Sequence, residues 1–133
     1  MSEIIVRDIC RYIDTSLTSF TMRTNLFVGE MPLSAPEGVY AVSSPSQEPD
    51  VYTGVIYQNV DFWAGYKSDE TAYQRLQELF DFLDRKHHYD TDNYFVYLSH
   101  ATGQIEDQDR DAESRKWLRL GVLFILRNKA IVS

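Results

Sequence analysis

Two stretches of the chain place apolar residues at helical spacing. In residues 3–18 they recur at every fourth position, and in residues 68–88 they form a stripe that follows an acidic first turn. The first stripe is Ile5, Ile9, Ile13 and Leu17; the second is Ala72, Leu76, Leu79, Phe80 and Leu83. The pattern predicts two amphipathic helices, with Ser68 at the start of the second helix and the cationic residues 85–88 at its end.

Five shorter runs are typical of strands: residues 26–30, 38–43, 55–64, 94–100 and 117–126. In the third run the apolar residues Ile56, Val60, Phe62 and Ala64 share one parity, and the other parity holds Tyr57, Asn59, Asp61 and Trp63. This alternation predicts a half-buried antiparallel strand whose mixed face is available for an oligomer contact. The fifth run is apolar almost throughout, which indicates a central strand that is covered on both faces or uses one face for a partner.

The order of these elements, α-β-β-β-α-β-β, predicts an α+β fold. We expect one domain over residues 1–133, with a mostly antiparallel sheet of about five strands and both helices on one face. Residues 44–50 have the composition of a loop.

Composition narrows the functional classes. The net charge is −7 and no basic stripe is visible, which argues against tight nucleic-acid binding. The single cysteine, Cys10, falls in the apolar pattern of the first helix and is expected to be buried. The first residues carry no targeting signal, and the longest apolar run, residues 120–126, is too short to span a membrane. We therefore expect a soluble protein made in the cytoplasm.

The sequence gives only weak signals for catalytic or metal-binding residues. His87 and His88 precede Asp90 and Asp92, but neighbouring residues at a helix end diverge too far for both rings to meet one ion. His100 follows Ser99, yet neighbours on a strand point to opposite faces. No phosphate-binding loop or nucleophile motif is present. We therefore predict no catalytic residue, metal ligand or cofactor, and no enzyme activity.

The connector at residues 104–113 is the most unusual segment, because it contains five carboxylates and one arginine. The carboxylates belong to Glu106, Asp107, Asp109, Asp111 and Glu113. So many neighbouring acids repel one another unless they face water or a cationic partner. The segment is either a solvated flexible loop or an arm of a hairpin that meets a partner.

Three stretches together resemble the tail terminator, or tail completion, proteins of long-tailed bacteriophages. The first is Asp14-Thr15 followed by residues 26–29 (Leu-Phe-Val-Gly). The second is residues 60–63 (Val-Asp-Phe-Trp) leading into residues 72–76, and the third is residues 118–124. The similarity extends over nearly the whole chain and also rests on its size, its acidity and the order of its elements.

The resemblance implies a structural protein of the virion. Members of this family form a hexameric ring that caps the finished tail tube, stops its growth and joins the tail to the head completion or connector protein. DNA passes through the ring without specific contact, and no cofactor takes part. Assembly in the host cytoplasm and a place at the head–tail interface follow. We expect the interface with the partner or with other copies to involve the acidic connector together with two residues of the third strand. The full set is Asp61, Trp63, Glu106, Asp107, Asp109, Asp111 and Glu113.

Two other readings remain open from the residues alone. An acidic binding module could neutralise a basic toxin or nuclease, as immunity and inhibitor proteins do, because its charge would steer a cationic partner. A small enzyme that uses His100 or His87 is the third possibility.

Overall fold

Two helices and seven strands make up the described part of the chain, residues 2–32, 37–43 and 54–129, in a computed structural model. The helices are α1 (Ser2–Ser16) and α2 (Asp69–Leu83). The strands are β1 (Leu26–Val28), β2 (Gly38–Ser43), β3 (Ile56–Tyr66), β4 (Lys86–Asp90), β5 (Tyr94–Ala101), β6 (Glu106–Arg110) and β7 (Lys116–Asn128). The predicted loop at residues 44–50 lies outside the described residues.

All seven strands join one sheet in the order β1-β2-β3-β7-β5-β4, and β6 pairs with β7. Only the pairing of β1 with β2 is parallel; every other pairing of named strands is antiparallel. The predicted α+β fold with a mostly antiparallel sheet is confirmed. The sheet has seven strands in the described residues, rather than about five.

The core lies between the sheet and the two helices. β3 and β7 pair over eleven positions, from Ile56 opposite Leu126 to Tyr66 opposite Lys116. Even-numbered residues of both strands point to the same face, and on that face Phe62 and Phe124 are fully buried. The apolar stripes of α1 and α2 belong to the same buried cluster, which includes Ile9 and Leu76. The alternation read in the third run therefore identified the buried face correctly.

Asp8 lies outside the apolar stripe of α1, where a charged side chain would normally face water. Its side chain is instead buried, and three hydrogen bonds replace the lost water. Asp8 accepts a bond from the backbone N–H of Asn93 at 3.0 Å, a second from Asn93 Nδ2 at 2.8 Å, and a third from the Thr91 hydroxyl. These bonds fasten α1 to the turn between β4 and β5.

The second helix begins as predicted, because the Ser68 side chain accepts a hydrogen bond from the backbone N–H of Thr71 at 3.2 Å. Its predicted end was wrong. The helix stops at Leu83, Arg85 adopts a left-handed φ of 56°, and the chain then turns back as β4. His87 therefore lies on a strand opposite Leu98 of β5 and does not end a helix.

Of the two alternatives left open for the acidic connector, the structure shows the hairpin arm: residues 106–110 form strand β6, which was not predicted as a strand. β5 and β6 lie one after the other along the same side of β7. Between them the backbone N–H of Thr102 donates to the carbonyl of Gly121 at 2.9 Å. The connector is thus part of the sheet and not a free loop.

The other boundaries shift by a few residues. α1 ends at Ser16 rather than at residue 18, and β3 and β7 each extend two residues beyond the predicted C-terminal end. β1 ends at Val28, because Gly29 has a left-handed φ of 88° that glycine adopts readily.

Candidate interaction surfaces

β6 and the start of β7 form a hairpin, which we call the acidic hairpin (residues 106–119). Glu106 lies opposite Arg119, and Arg110 lies opposite Lys116. The register shifts between Asp107 and Arg110, so the strand is irregular where its charge is densest. All five carboxylates of the predicted interface segment are therefore on this one hairpin.

Cations from the same chain neutralise most of these carboxylates. Arg119 joins Glu106 of the hairpin to Asp61 of β3, with its Nη1 3.0 Å from Glu106 and its Nη2 2.7 Å from Asp61. Lys116 pairs with Asp107, and Arg115 pairs with Asp111 and with Glu113. The cationic partner that the sequence required is thus supplied within the hairpin. Residues 106–119 carry five acids and four bases, so their net charge is only −1.

Asp109 is the exception on the hairpin. Its side chain is exposed, and it takes part in none of the ion pairs between described residues. The neighbouring Arg110 turns toward the start of α2, where it pairs with Asp69. Asp109 is therefore the carboxylate of the hairpin that is most available to a partner.

Asp111 orders the tip of the hairpin. Its carboxylate accepts hydrogen bonds from the backbone N–H groups of Glu113 and Arg115, both at 2.9 Å. It also accepts from Trp117 Nε1 at 3.0 Å and from Arg115 Nε at 2.8 Å. The Trp117 bond, with the help of the others, holds the pKa of the Asp111 carboxyl well below its usual value. The tip is therefore a defined turn.

Trp117 also links the hairpin to the rest of the sheet. Its ring lies over Gly65, where an added Cβ would come within 2.4 Å of Trp117 Cη2. Tyr40 meets the Trp117 ring edge-on at 5.8 Å and stacks on Trp63 at 6.3 Å. The Arg115 guanidinium lies 5.3 Å from the Trp117 ring. Trp63 thus belongs to an aromatic cluster that supports the hairpin from the neighbouring strands.

The face of the sheet opposite the helices, which we call the open face, is covered by no element of the described residues. Asp61 and Trp63 lie on it, as the alternation in β3 predicted. Tyr57 is 46% exposed there, and Leu123 and Ile125 of β7 are only partly buried. The near-continuous apolarity of β7 thus reflects one buried face and one face that presents apolar side chains to solvent.

A cavity of about 620 Å³ between α1 and β1 was not anticipated from the sequence. Three arginines and one glutamate line it together with five apolar residues. The lining residues are Arg7, Arg11, Met22, Arg23, Leu26, Phe27, Val28, Glu30 and Pro32. We call this the arginine cavity. Arg7 and Arg11 are one helical turn apart, a spacing that could have indicated a shared cationic surface.

The residues weighed as catalytic groups or metal ligands do not form a reactive cluster. Ser99 is buried, donates to the carbonyl of Leu83 at 2.7 Å and accepts from the Tyr89 hydroxyl at 2.8 Å. His100 Nδ1 lies 3.1 Å from its neighbour's carbonyl oxygen, that of Ala101. Within the described ranges, no group of three or more His, Cys, Asp or Glu side chains could hold a metal ion.

The remaining features are the single cysteine and the apolar character of the helices. Cys10 is fully buried, as predicted, and burial raises the pKa of its thiol to about 12. None of the helices in the described residues has the length and apolar character that a membrane crossing requires.

A family described as bacteriophage tail terminator proteins matches residues 15–124 of the chain. The matched region runs from the end of α1 into β7 and includes the acidic hairpin and most of the arginine cavity. No curated protein matches the chain.

Proposed function

Because the chain belongs to the bacteriophage tail terminator family, we propose that it forms a ring on the end of the tail tube. A structural role in the phage tail, rather than catalysis, follows from the family itself. The finer proposal is a hexameric ring that caps the finished tube, stops its elongation and receives the head completion or connector protein. DNA would pass through the ring without sequence-specific contact. The family match over residues 15–124 is the observation that carries this proposal.

The acidic hairpin supports a contact role. Ion pairs hold four of its five carboxylates and Asp111 orders its tip, so these groups have little conformational entropy left to lose when a partner binds. The predicted interface residues Asp61, Trp63, Glu106, Asp107, Asp109, Asp111 and Glu113 remain our proposal for the surface that meets the tube, the connector or a neighbouring copy.

The open face is the second surface that suits assembly. Partly exposed apolar and aromatic side chains, including Tyr57, Leu123 and Ile125, are typical of protein interfaces. Assembly in the host cytoplasm and location at the head–tail interface of the virion complete the proposal.

The decisive test is whether the protein caps tail tubes. Purified protein is added to tubes that are still elongating, and tube length and end structure are followed by negative-stain imaging, with mass in solution from light scattering. We expect tube growth to stop and rings of six subunits to appear at tube ends. Tubes that grow at the same rate with bare ends would contradict the proposal.

A second experiment tests the hairpin. Asp109→Lys reverses a charge that has no ion-pair partner among the described residues, so the fold should not change. We expect fewer capped tubes than with the wild-type protein. Asp92→Lys, which reverses an exposed acid beyond β4, is the matched control. Equal capping by all three proteins would remove Asp109 from the proposed surface.

A further inference from the structure

We propose that neighbouring copies join head to tail, with the acidic edge of one copy docked into the arginine cavity of the next. This inference rests on the proposed ring. The acidic edge is the groove between the first turn of helix α2 and strand β6. The residues that line it are Asp69, Glu70, Tyr73, Gln74, Asp107, Lys116 and Leu118. In this proposal the occupant of the arginine cavity is a second copy of this chain.

The positions of the two surfaces fit such a contact. β1 is one edge of the sheet, and β6 lies beyond β7 on the side away from β3, β2 and β1. The arginine cavity is at the β1 edge, and the acidic edge is at the β6 edge. Two different surfaces on opposite edges of one subunit give a heterologous contact, which closes into a ring when the rotation between subunits allows it.

The charges of the two surfaces are opposite. Three arginines and one glutamate line the cavity, which gives 3 − 1 = +2. Three carboxylates and one lysine line the acidic edge, which gives 1 − 3 = −2. Lys116 pairs with Asp107, and Asp69 pairs with Arg110 outside the groove, so that Glu70 remains without a cationic partner among the described residues. Arg11 and Arg23 are exposed and form no ion pair with a described residue. The charges that line the two surfaces are therefore equal in number and opposite in sign.

Apolar and aromatic side chains also lie on both surfaces. Tyr73 stands on the acidic edge with 52% of its surface exposed, and among the described residues Tyr57 is the only other exposed large aromatic side chain. Apolar residues, among them Met22, Val28 and Pro32, also line the arginine cavity. A tyrosine beside carboxylates would therefore place its ring against these residues and its neighbouring charges beside the arginines. Tyrosine and arginine are among the residues most enriched at the energetic centres of interfaces.

Charge reversal at one position on each surface tests the pairing. Glu70→Lys and Arg11→Glu should each raise the protein concentration needed for rings, alone or on tubes, by roughly tenfold or more. Mixing the two variants in equal amounts should restore rings. In the mixture the reversed edge of the Glu70→Lys copy meets the reversed cavity of the Arg11→Glu copy, and the unchanged edge meets the unchanged cavity. Native mass spectrometry should then find the two variants in equal numbers in each ring.

The structure offers a matched control on the same helix. Glu70 accepts a hydrogen bond from Gln74 at 3.2 Å, and Asp81 accepts one from Gln77 at 2.9 Å, so both reversals remove the same type of contact. Asp81→Lys should form rings at the wild-type concentration and should not rescue Arg11→Glu in a mixture. Circular dichroism melts of each variant establish that the subunit remains folded.

The remaining outcomes separate this inference from the proposed function. If the wild-type protein caps tubes as rings and both reversals do so equally well, the pairing is wrong and the function stands. If Arg11→Glu keeps its rings in solution but loses tube capping, the cavity holds the tube protein instead. If the wild-type protein forms no ring under any condition, the ring and the pairing both fall.

Discussion

The strands β4 and β6 invite comparison, because both are short and polar and each pairs with a single strand of the described sheet, yet they are held in different ways. Aromatic and buried hydroxyl contacts on its core side hold β4 (Lys-His-His-Tyr-Asp). Ion pairs at the surface hold β6 (Glu-Asp-Gln-Asp-Arg). Contacts of the first type depend little on salt, whereas those of the second type are screened by it.

Aromatic rings and a buried hydroxyl network hold β4. The Lys86 ammonium lies 4.8 Å from the Phe82 ring centroid, 5.2 Å from that of Tyr89 and 5.9 Å from that of Tyr12. Tyr12 stacks on Tyr89 at 4.9 Å, so α1, α2 and β4 meet at this lysine. The Tyr89 hydroxyl donates a hydrogen bond to the buried Ser99 hydroxyl, and burial raises the pKa of the Tyr89 phenol. β4 should therefore open only when the helices also move.

Ion pairs and the Asp111 turn hold β6. Its backbone pairs with β7 at only three positions, and its outer edge has no partner strand among the described residues. The charged side chains also discourage edge-to-edge aggregation in the free subunit. β6 should therefore open locally, without unfolding of the core, and this contrast leads to four predictions.

The largest effect is expected at the packing between Gly65 and Trp117. Gly65→Ala places a methyl group within 2.4 Å of the indole, so the ring must move and release its bond to Asp111. We expect a loss of about 2–3 kcal/mol in the free energy of unfolding, measured by urea denaturation. Gly103→Ala, where nothing lies within 4 Å of the added carbon, is the control and should change it little. Equal stability of the two variants would show that Trp117 is not held in place.

Ser99→Ala should weaken the attachment of β4 by a somewhat smaller amount. It leaves the Leu83 carbonyl and the Tyr89 hydroxyl without their partner in the core, which costs about 1–3 kcal/mol. Tyr89→Phe keeps the bond between Ser99 and Leu83 and should cost less. Urea denaturation of both variants gives the order, and a larger loss in Tyr89→Phe would contradict the network described above.

Protonation of Asp111 should loosen the tip of the acidic hairpin alone. Because its folded pKa is depressed, the carboxylate stabilises the tip above its unfolded pKa, near 3.8, and the stabilisation is lost as the pH falls through the folded value. We expect faster amide exchange at Glu113 and Arg115 in Asp111→Asn at neutral pH, with β4 amides unchanged. The indole N–H signal of Trp117 should shift as well. Unchanged exchange at the tip would show that the turn persists without the carboxylate.

Salt should have the smallest effect. At about 1 M NaCl the screening length is roughly 3 Å, so the exposed pairs that hold β6 lose most of their modest attraction. Amide exchange in β6 should rise a few-fold, whereas exchange in β4 should stay constant. A uniform change in both strands would mean that they open together.

The fold class could be predicted from the sequence, but strands β4 and β6 could not. β3 and both helices repeat apolar residues with a clear period, because one face of each is buried. β4 and β6 have no such period, since their stability comes from pairing with β5 and β7 rather than from local preference. The cationic residues 85–88 matched a helix end by composition, and only the left-handed Arg85 and the rings around Lys86 exclude it.

The surroundings of the predicted interface residues could also be predicted only in part from the sequence. Parity alone put Asp61 and Trp63 on the open face, because the period of a strand fixes the side of each residue. The pairing of Asp61 with Arg119 joins residues 58 positions apart and has no local signature. The arginine cavity was missed for the same reason, since its walls come from α1 and from the segment around β1.

The register of β3 with β7 also has a consequence for synthesis on the ribosome. Their paired residues are separated by 50 positions (Tyr66 and Lys116) to 70 positions (Ile56 and Leu126). β3 therefore emerges long before its central neighbour exists, while α2, β4 and β5 can begin to associate through nearer contacts. The subunit gains its complete core only once β7 has been translated. Until then its strands are exposed, so slow translation between β3 and β7 should favour aggregates over the folded protein.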